Sequence, residues 1–206
     1  MSKSLIRDIV DQEWRMFSTV SNVGGPAACQ LDPDTFALMR QSQVSAWPEE
    51  LLESYLADLA AASREGRNLM SEKYAWMMES TFPGEFGDIV DRLPVIDQAT
   101  LALIEEIVAV NVEWKMELSA RYPRLSDRGR AIRARDDSER ETSFETYHRG
   151  ELKTYSPRSV RILHRHTEEQ KKNGINGAAA VLLSQAQQCG YASLDEAEQA
   201  CGKFFI

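Results

Sequence analysis

Histidine and cysteine are scarce, with three of each in 206 residues. The cysteines, Cys29, Cys189 and Cys201, form no C-x-x-C pair. That spacing does not suggest a disulfide framework or a zinc site, and the three read as free thiols in a reducing compartment. The histidines are His148, His164 and His166. A di-iron carboxylate centre in a helix bundle wants Glu-x-x-His twice, and only Glu145-x-x-His148 fits. No metal site is therefore assigned. Neither G-x-G-x-x-G, G-x-x-x-x-G-K, G-x-S-x-G nor H-E-x-x-H occurs, which removes the common nucleotide, serine-hydrolase and zinc-protease readings. No obligatory cofactor is expected.

Long apolar runs are also missing. None approaches the roughly 18–20 residues that span a bilayer, so no membrane contact is expected. The segment from Met1 to Asp11 lacks a basic stretch followed by an apolar one, so it does not read as a signal peptide. A cytoplasmic location is the expectation.

What is present is an ordinary folded composition, 43% hydrophobic and 27% charged, with a net charge of −8. The charge is uneven. Residues 1–120 hold 9 basic and 20 acidic side chains, net −11, whereas residues 121–206 hold 15 and 12, net +3. The acidic total argues against non-specific nucleic-acid binding, while the second part can still receive an anion.

The periodicity is helical almost throughout, and no strand alternation is convincing. Residues 3–20 read as a helix and 21–30, with Gly24, Gly25 and Pro26, as a loop. Asp32-Pro33 starts a helix that carries Phe36, Met39 and Arg40. Pro48 opens the next, which stops at Gly66. Others are expected at 68–79, 85–93, from Asp97 to about Ala120, from the capping-box pattern Thr142-x-x-Glu145 to about Tyr155, at 157–172, at 178–188, and after Ser193-x-x-Glu196. The 97–120 helix is apolar round most of its circumference and should be central. Between 121 and 141 seven arginines mix with Asp127, Asp136, Asp137, Glu139 and Glu141 and show little apolar periodicity. This stretch reads as a long loop or lid. The expected fold is all-α: a single-domain helical bundle over 1–206 with a long arginine-rich loop.

Several polar groups sit where chemistry is possible. Glu13 lies four residues from both Ile9 and Phe17, on one apolar face, and Asn111 is placed similarly. Buried there, they would need partners, in an internal network or in a ligand cavity. Asn68 and Glu72 form an i,i+4 pair, and Glu72 suits a general base. Lys73 can pair with a carboxylate. Tyr147, Glu151 and Tyr155 share a face at i,i+4 spacing, and Arg149 offers a planar fork for a carboxylate or phosphate. Glu13-Trp14-Arg15-Met16 echoes Glu113-Trp114-Lys115-Met116, either by chance or as two helices presenting similar faces to one cavity.

Trp14-x-Met16-Phe17, Gly24-Gly25-Pro26-Ala27-x-Cys29-Gln30, Met39-Arg40-x-x-Gln43-x-x-x-Trp47, Arg67-Asn68-Leu69-x-x-Glu72-Lys73-Tyr74-x-x-Met77-Met78 and Thr142-Ser143-x-Glu145-Thr146-Tyr147 together resemble an uncharacterised bacterial domain-of-unknown-function family, number 4125. The resemblance runs from about Trp14 to Glu198 and implies a compact domain of this size without supplying a reaction.

The expectation is a small-molecule enzyme. Glu72, Tyr147 and Glu151 would be catalytic, and Arg40, Asn68, Lys73, Arg149 and Tyr155 would bind a small anionic or amphoteric substrate. The alternative is a helical binding or accessory module that docks an acidic partner, and either is compatible with a homo-oligomer.

Overall fold

A computed structural model describes residues 2–21, 25, 28–126, 129–139 and 141–200. Gly24, Pro26, Ala27, Asp127, Arg128, Arg140 and Cys201 lie outside the described residues. Within them the protein is all-α, with no strand. Eleven α-helices follow one another: α1 (Ser2–Phe17), α2 (Pro33–Val44), α3 (Glu49–Arg64), α4 (Leu69–Thr81), α5 (Pro83–Gly87), α6 (Gln98–Arg121), α7 (Pro123–Ser126), α8 (Phe144–Leu152), α9 (Pro157–Lys172), α10 (Gly177–Gln188) and α11 (Leu194–Gln199). No helix is long and apolar enough to cross a membrane.

Local chemistry sets most of the boundaries. Asp32 accepts from Thr35 N at 3.0 Å, and Pro33 fills the first helical position of α2. Asp97 caps α6, Ser156 caps α9 and Ser193 caps α11. After α3 the chain turns at Gly66, whose φ of +71° is a left-handed value that glycine tolerates without steric penalty. Two boundaries differ from expectation. Ser143 rather than Thr142 caps α8, because its hydroxyl receives Thr146 N. The 85–93 segment divides into α5 and a 3-10 turn at Val90–Arg92.

Packing is organised around α6. Ile104, Ile107, Val108 and Val112 join the larger core with α1, α3, α4 and α9. Val110, Trp114 and Leu118 join a second core with α10 and α11. Glu105, Glu106, Glu113 and Glu117 face solvent, so α6 is amphipathic rather than apolar all round. The 13/113 echo does not survive in three dimensions, because Glu13 is fully buried and Glu113 is exposed.

Helices α4 and α8 approach closely at Gly150. A Cβ there would meet the Lys73 carbonyl oxygen and Met77 Cγ at 3.0 Å. That contact places α8's inner face against Lys73. In the 121–141 stretch, α7 and a 3-10 turn at Ala134–Asp136 interrupt irregular backbone. This backbone is tied to the start of α8, where Phe144 N donates to Ala131 O at 2.7 Å and Glu145 N to Ile132 O at 3.0 Å.

Candidate functional site

Four charged side chains meet in the larger core. Glu13 is 0%, Glu151 1%, Lys73 2% and Arg40 6% exposed. Each comes from a different helix, and each lies on an apolar stripe. Glu13 stands between buried Ile9 and Phe17 on α1, and Lys73 between buried Met70 and Met77 on α4.

The geometry is close. Arg40 grips Glu13 with two parallel bonds, Nε to Oε2 and Nη2 to Oε1, both 2.6 Å. Its Nη1 reaches Gln43 Oε1 at 2.6 Å and Glu151 Oε1 at 3.0 Å. Gln43 Nε2 donates to the same Glu151 oxygen at 3.1 Å, and Lys73 Nζ to the other at 3.1 Å. The Tyr55 hydroxyl donates to Glu13 at 2.7 Å and the Tyr155 hydroxyl to Glu151 at 2.9 Å. Two carboxylates face two cations, so the group is charge-balanced. Burying charge is costly unless it is paired and hydrogen-bonded, and here both conditions hold.

Electrostatics follow the pairing. Burial alone would raise the Glu151 carboxyl, but the Arg40 and Lys73 charges hold it well below the usual carboxylate range. Burial works against the Arg40 and Lys73 cations too. The two carboxylates around Arg40 and Glu151 beside Lys73 still leave both above their ordinary values. Tyr55 and Tyr155 are pushed well up by burial and by the carboxylates beside them.

One side of the group is unfinished. Lys73 Nζ also lies 3.5 Å from the centroid of the half-buried Tyr147 ring, and the Arg130 guanidinium lies 4.9 Å from the same centroid. Tyr147's hydroxyl has no hydrogen bond among the described residues. Burial, then neighbouring Tyr147, pushes Tyr74 up to about 12. One residue along α8, His148 stacks on Phe144, and its Nε2 is buried without a partner among the described residues. Burial lowers His148 to about 4, so it is neutral at physiological pH. Burial also pushes the Lys115 amine down. No group of three or more His, Cys, Asp or Glu that could hold a metal occurs among the described residues.

The structure therefore brings together Arg40, Lys73, Glu151 and Tyr155, with Tyr147 at the edge. It does not bring Glu72, Asn68 or Arg149 to them. Glu72 is clamped by Arg67 through two 2.8 Å bonds. Asn68 caps α4, accepting from Met70 N and Ser71 N while donating to Met16 O at 2.8 Å. Arg149 binds Glu105 at 2.8 and 3.0 Å and Glu145 at 3.0 Å. Asn111 returns to its own helix through Ile107 O. Gln43 and Tyr55 were not among the expected site residues. Gln43 sits one turn from Arg40, which was a readable signal, whereas Tyr55 on an apolar stripe looks like any core aromatic.

Two surface depressions flank α8. One, of about 330 Å³, is lined by Trp76, Glu79, Glu105, Arg149 and Lys153 among others. Its cations are already paired, Arg149 with Glu105 and Lys153 with Glu79. The other, of about 440 Å³, is lined by Met116, Arg133, Ala134, Arg135 and Glu145.

No curated protein and no solved structure matches the chain. A family model described as "Protein of unknown function (DUF4125)" matches residues 3–199, which is nearly the whole length, and the chain belongs to that family.

Proposed function

We propose that the protein is a small-molecule enzyme whose acid–base group is Tyr147, set at the edge of the buried ion network. One observation carries this reading: at the edge of an otherwise bonded ion network, the Tyr147 side chain is held by cations while its hydroxyl is left open. The ring lies against the Lys73 ammonium and the Arg130 guanidinium, and the hydroxyl has no hydrogen bond among the described residues. A phenol hydroxyl left open at the edge of the network is placed to give a proton to a substrate and take one back. Lys73 is too buried to touch substrate. It acts through its charge, and Glu151 fixes its position at 3.1 Å. Arg130, which is exposed, is the group available to an anionic or amphoteric substrate. Glu72 and Arg149 have no part in this centre, since other side chains hold them.

The test is to incubate a small-metabolite extract with the wild type and with Tyr147→Phe, and to follow its composition by mass spectrometry. The wild type should consume at least one anionic or amphoteric compound. The variant should not, although it unfolds at the same temperature, and Glu72→Gln should behave as wild type. Equal turnover by wild type and Tyr147→Phe, or no turnover by either, refutes the proposal. A binding module that docks an acidic partner is the second reading. It is favoured by Arg158 and Arg161, which stand exposed on α9.

A further inference from the structure

We propose that the depression of about 440 Å³ beside Met116 is a binding site for a phosphate-type oxyanion, gripped by Arg133 and Arg135. None of its lining residues belongs to the Lys73–Tyr147 group, so the proposal stands independently of the enzyme reading.

The first support is the state of the two guanidinium groups. Arg133 makes no ion pair among the described residues, and its Nη2 donates to the Met116 thioether sulfur at 3.0 Å. A thioether is a weak acceptor, so no carboxylate grips this guanidinium directly, although its charge is felt by Glu145 in the same wall. Arg135 is 84% exposed at its side chain, and its nearest carboxylate, Asp136, stands off at 3.9 Å. In the smaller depression, by contrast, both cations are engaged.

The second support is rigidity. Arg133 and Arg135 flank Ala134, and the turn between them is fixed from several directions. Ala134 N donates to Glu145 Oε2 at 2.9 Å, Asp136 N to Arg133 O at 3.0 Å, and Asp137 N to Ala134 O at 3.0 Å. Asp137 is in turn held by Ser80, by Ser143 N and by Thr146, at 2.5–2.6 Å. The pinned turn fixes the backbone from which two planar forks project toward an anion with several oxygens; Arg133 is also held at its tip, and the exposed Arg135 side chain is ordered on binding.

The carboxylate in the wall does not oppose this. One Glu145 oxygen receives Ala134 N, and the other receives Arg149 Nη2 at 3.0 Å. Burial would raise its carboxyl, but the Ala134 amide, Arg149 and the nearby charge of Arg133 keep it below its ordinary value. It is therefore ionised and already compensated. The remaining wall offers Met116, Ala134 and the arginine stems, which suits the apolar part of a small ester.

The test is an amide NMR titration of the wild-type protein with inorganic phosphate and, separately, with glycerol phosphate. Saturable shifts should centre on residues 133–136 and 145. Binding of both probes assigns the site to any phosphate group, and binding of glycerol phosphate alone assigns it to phosphate esters. Arg133→Gln and Arg135→Gln should each weaken binding roughly tenfold, and Arg158→Gln on α9 should not. Arg135 is exposed, so its variant folds whatever becomes of Arg133. Absence of saturable shifts up to about 10 mM of either probe, a range that covers weak millimolar affinity, overturns the proposal. So does unchanged affinity in Arg135→Gln.

Discussion

Replacing Arg40 with methionine should be among the most damaging single changes in the chain. Methionine keeps much of the aliphatic stem and removes the charge. Glu13 would then retain only the Tyr55 hydroxyl, at 2.7 Å, in a position with no solvent contact. Glu151 would keep Lys73, Gln43 and Tyr155. Breaking a buried ion pair from one side costs about 3–5 kcal/mol, because a charge is left unpaired. For a chain of this size, each kcal/mol lowers the melting temperature by roughly 2–4 °C, so a fall of about 6–20 °C is expected. Urea unfolding followed by circular dichroism measures the free energy directly, and the midpoint should drop with little change in slope. Two companions sharpen the result. The half-exposed Arg67–Glu72 pair should be worth less than about 1 kcal/mol in Arg67→Met. Glu13→Gln/Arg40→Met removes both charges of the bidentate pair and should be more stable than Arg40→Met alone, with a coupling of about 1–3 kcal/mol. If Arg40→Met costs under about 1 kcal/mol, or the double variant is simply additive, the core is not held as described.

Acid should act on two groups in the same direction. Glu151 titrates below its unfolded value, so its stabilisation is present above the unfolded carboxyl pKa and is lost as pH falls toward the folded one. His148 is lowered from 6.5 to about 4, so the unfolded chain binds the extra proton first, and stability falls from pH 6.5 toward 4. The full histidine effect is about 3 kcal/mol at most, and His148→Leu should flatten melting temperature against pH in that window. An unchanged pH profile in His148→Leu would remove this assignment. Gly150→Ala should destabilise by about 1–3 kcal/mol, despite alanine's better helix propensity, because its methyl would press on the Lys73 carbonyl, which is backbone and cannot turn aside. A melting temperature at or above wild type would show that α4 and α8 have slack at this contact.

The fold was legible where a few neighbouring residues decide it. Asp32-Pro33, Asp97 and Ser193 announce helix starts through an acceptor close to the amides it satisfies, and the structure uses each of them. The partners of the buried charges were not legible in this way. Arg40 and Glu151 are 111 residues apart, and nothing local links them. The choice between Glu72 and Lys73 was open to a finer reading. Leu69, Met70, Lys73 and Met77 fall on one α4 stripe, and Glu72 falls off it. Adjacent helical residues point about 100° apart, and here Lys73 lies on the buried stripe while Glu72 lies beside it. Lysine is rarely buried unless it is paired, and Lys73 meets that condition through Glu151.

A network that served packing alone would have its donors and acceptors matched throughout, since an unmatched buried polar group weakens the fold. The Arg40 end meets that condition. The guanidinium, both carboxylates, Gln43 and the two inner tyrosines are all bonded to one another. The α8 end differs: His148 Nε2 is buried without a partner among the described residues, and the neighbouring Tyr147 hydroxyl, which has no hydrogen bond there, is not fully buried. The matched end joins four helices, α1, α2, α3 and α8, and under the proposed function the α8 end is where a substrate atom would complete the pattern. Stability and function should therefore separate along the network. Losses at Arg40 are read in unfolding free energy, and losses at Tyr147 in turnover at unchanged stability. If Tyr147→Phe were found to destabilise the protein as strongly as Arg40→Met, Tyr147 would belong to the scaffold, and the chemistry would have to lie elsewhere.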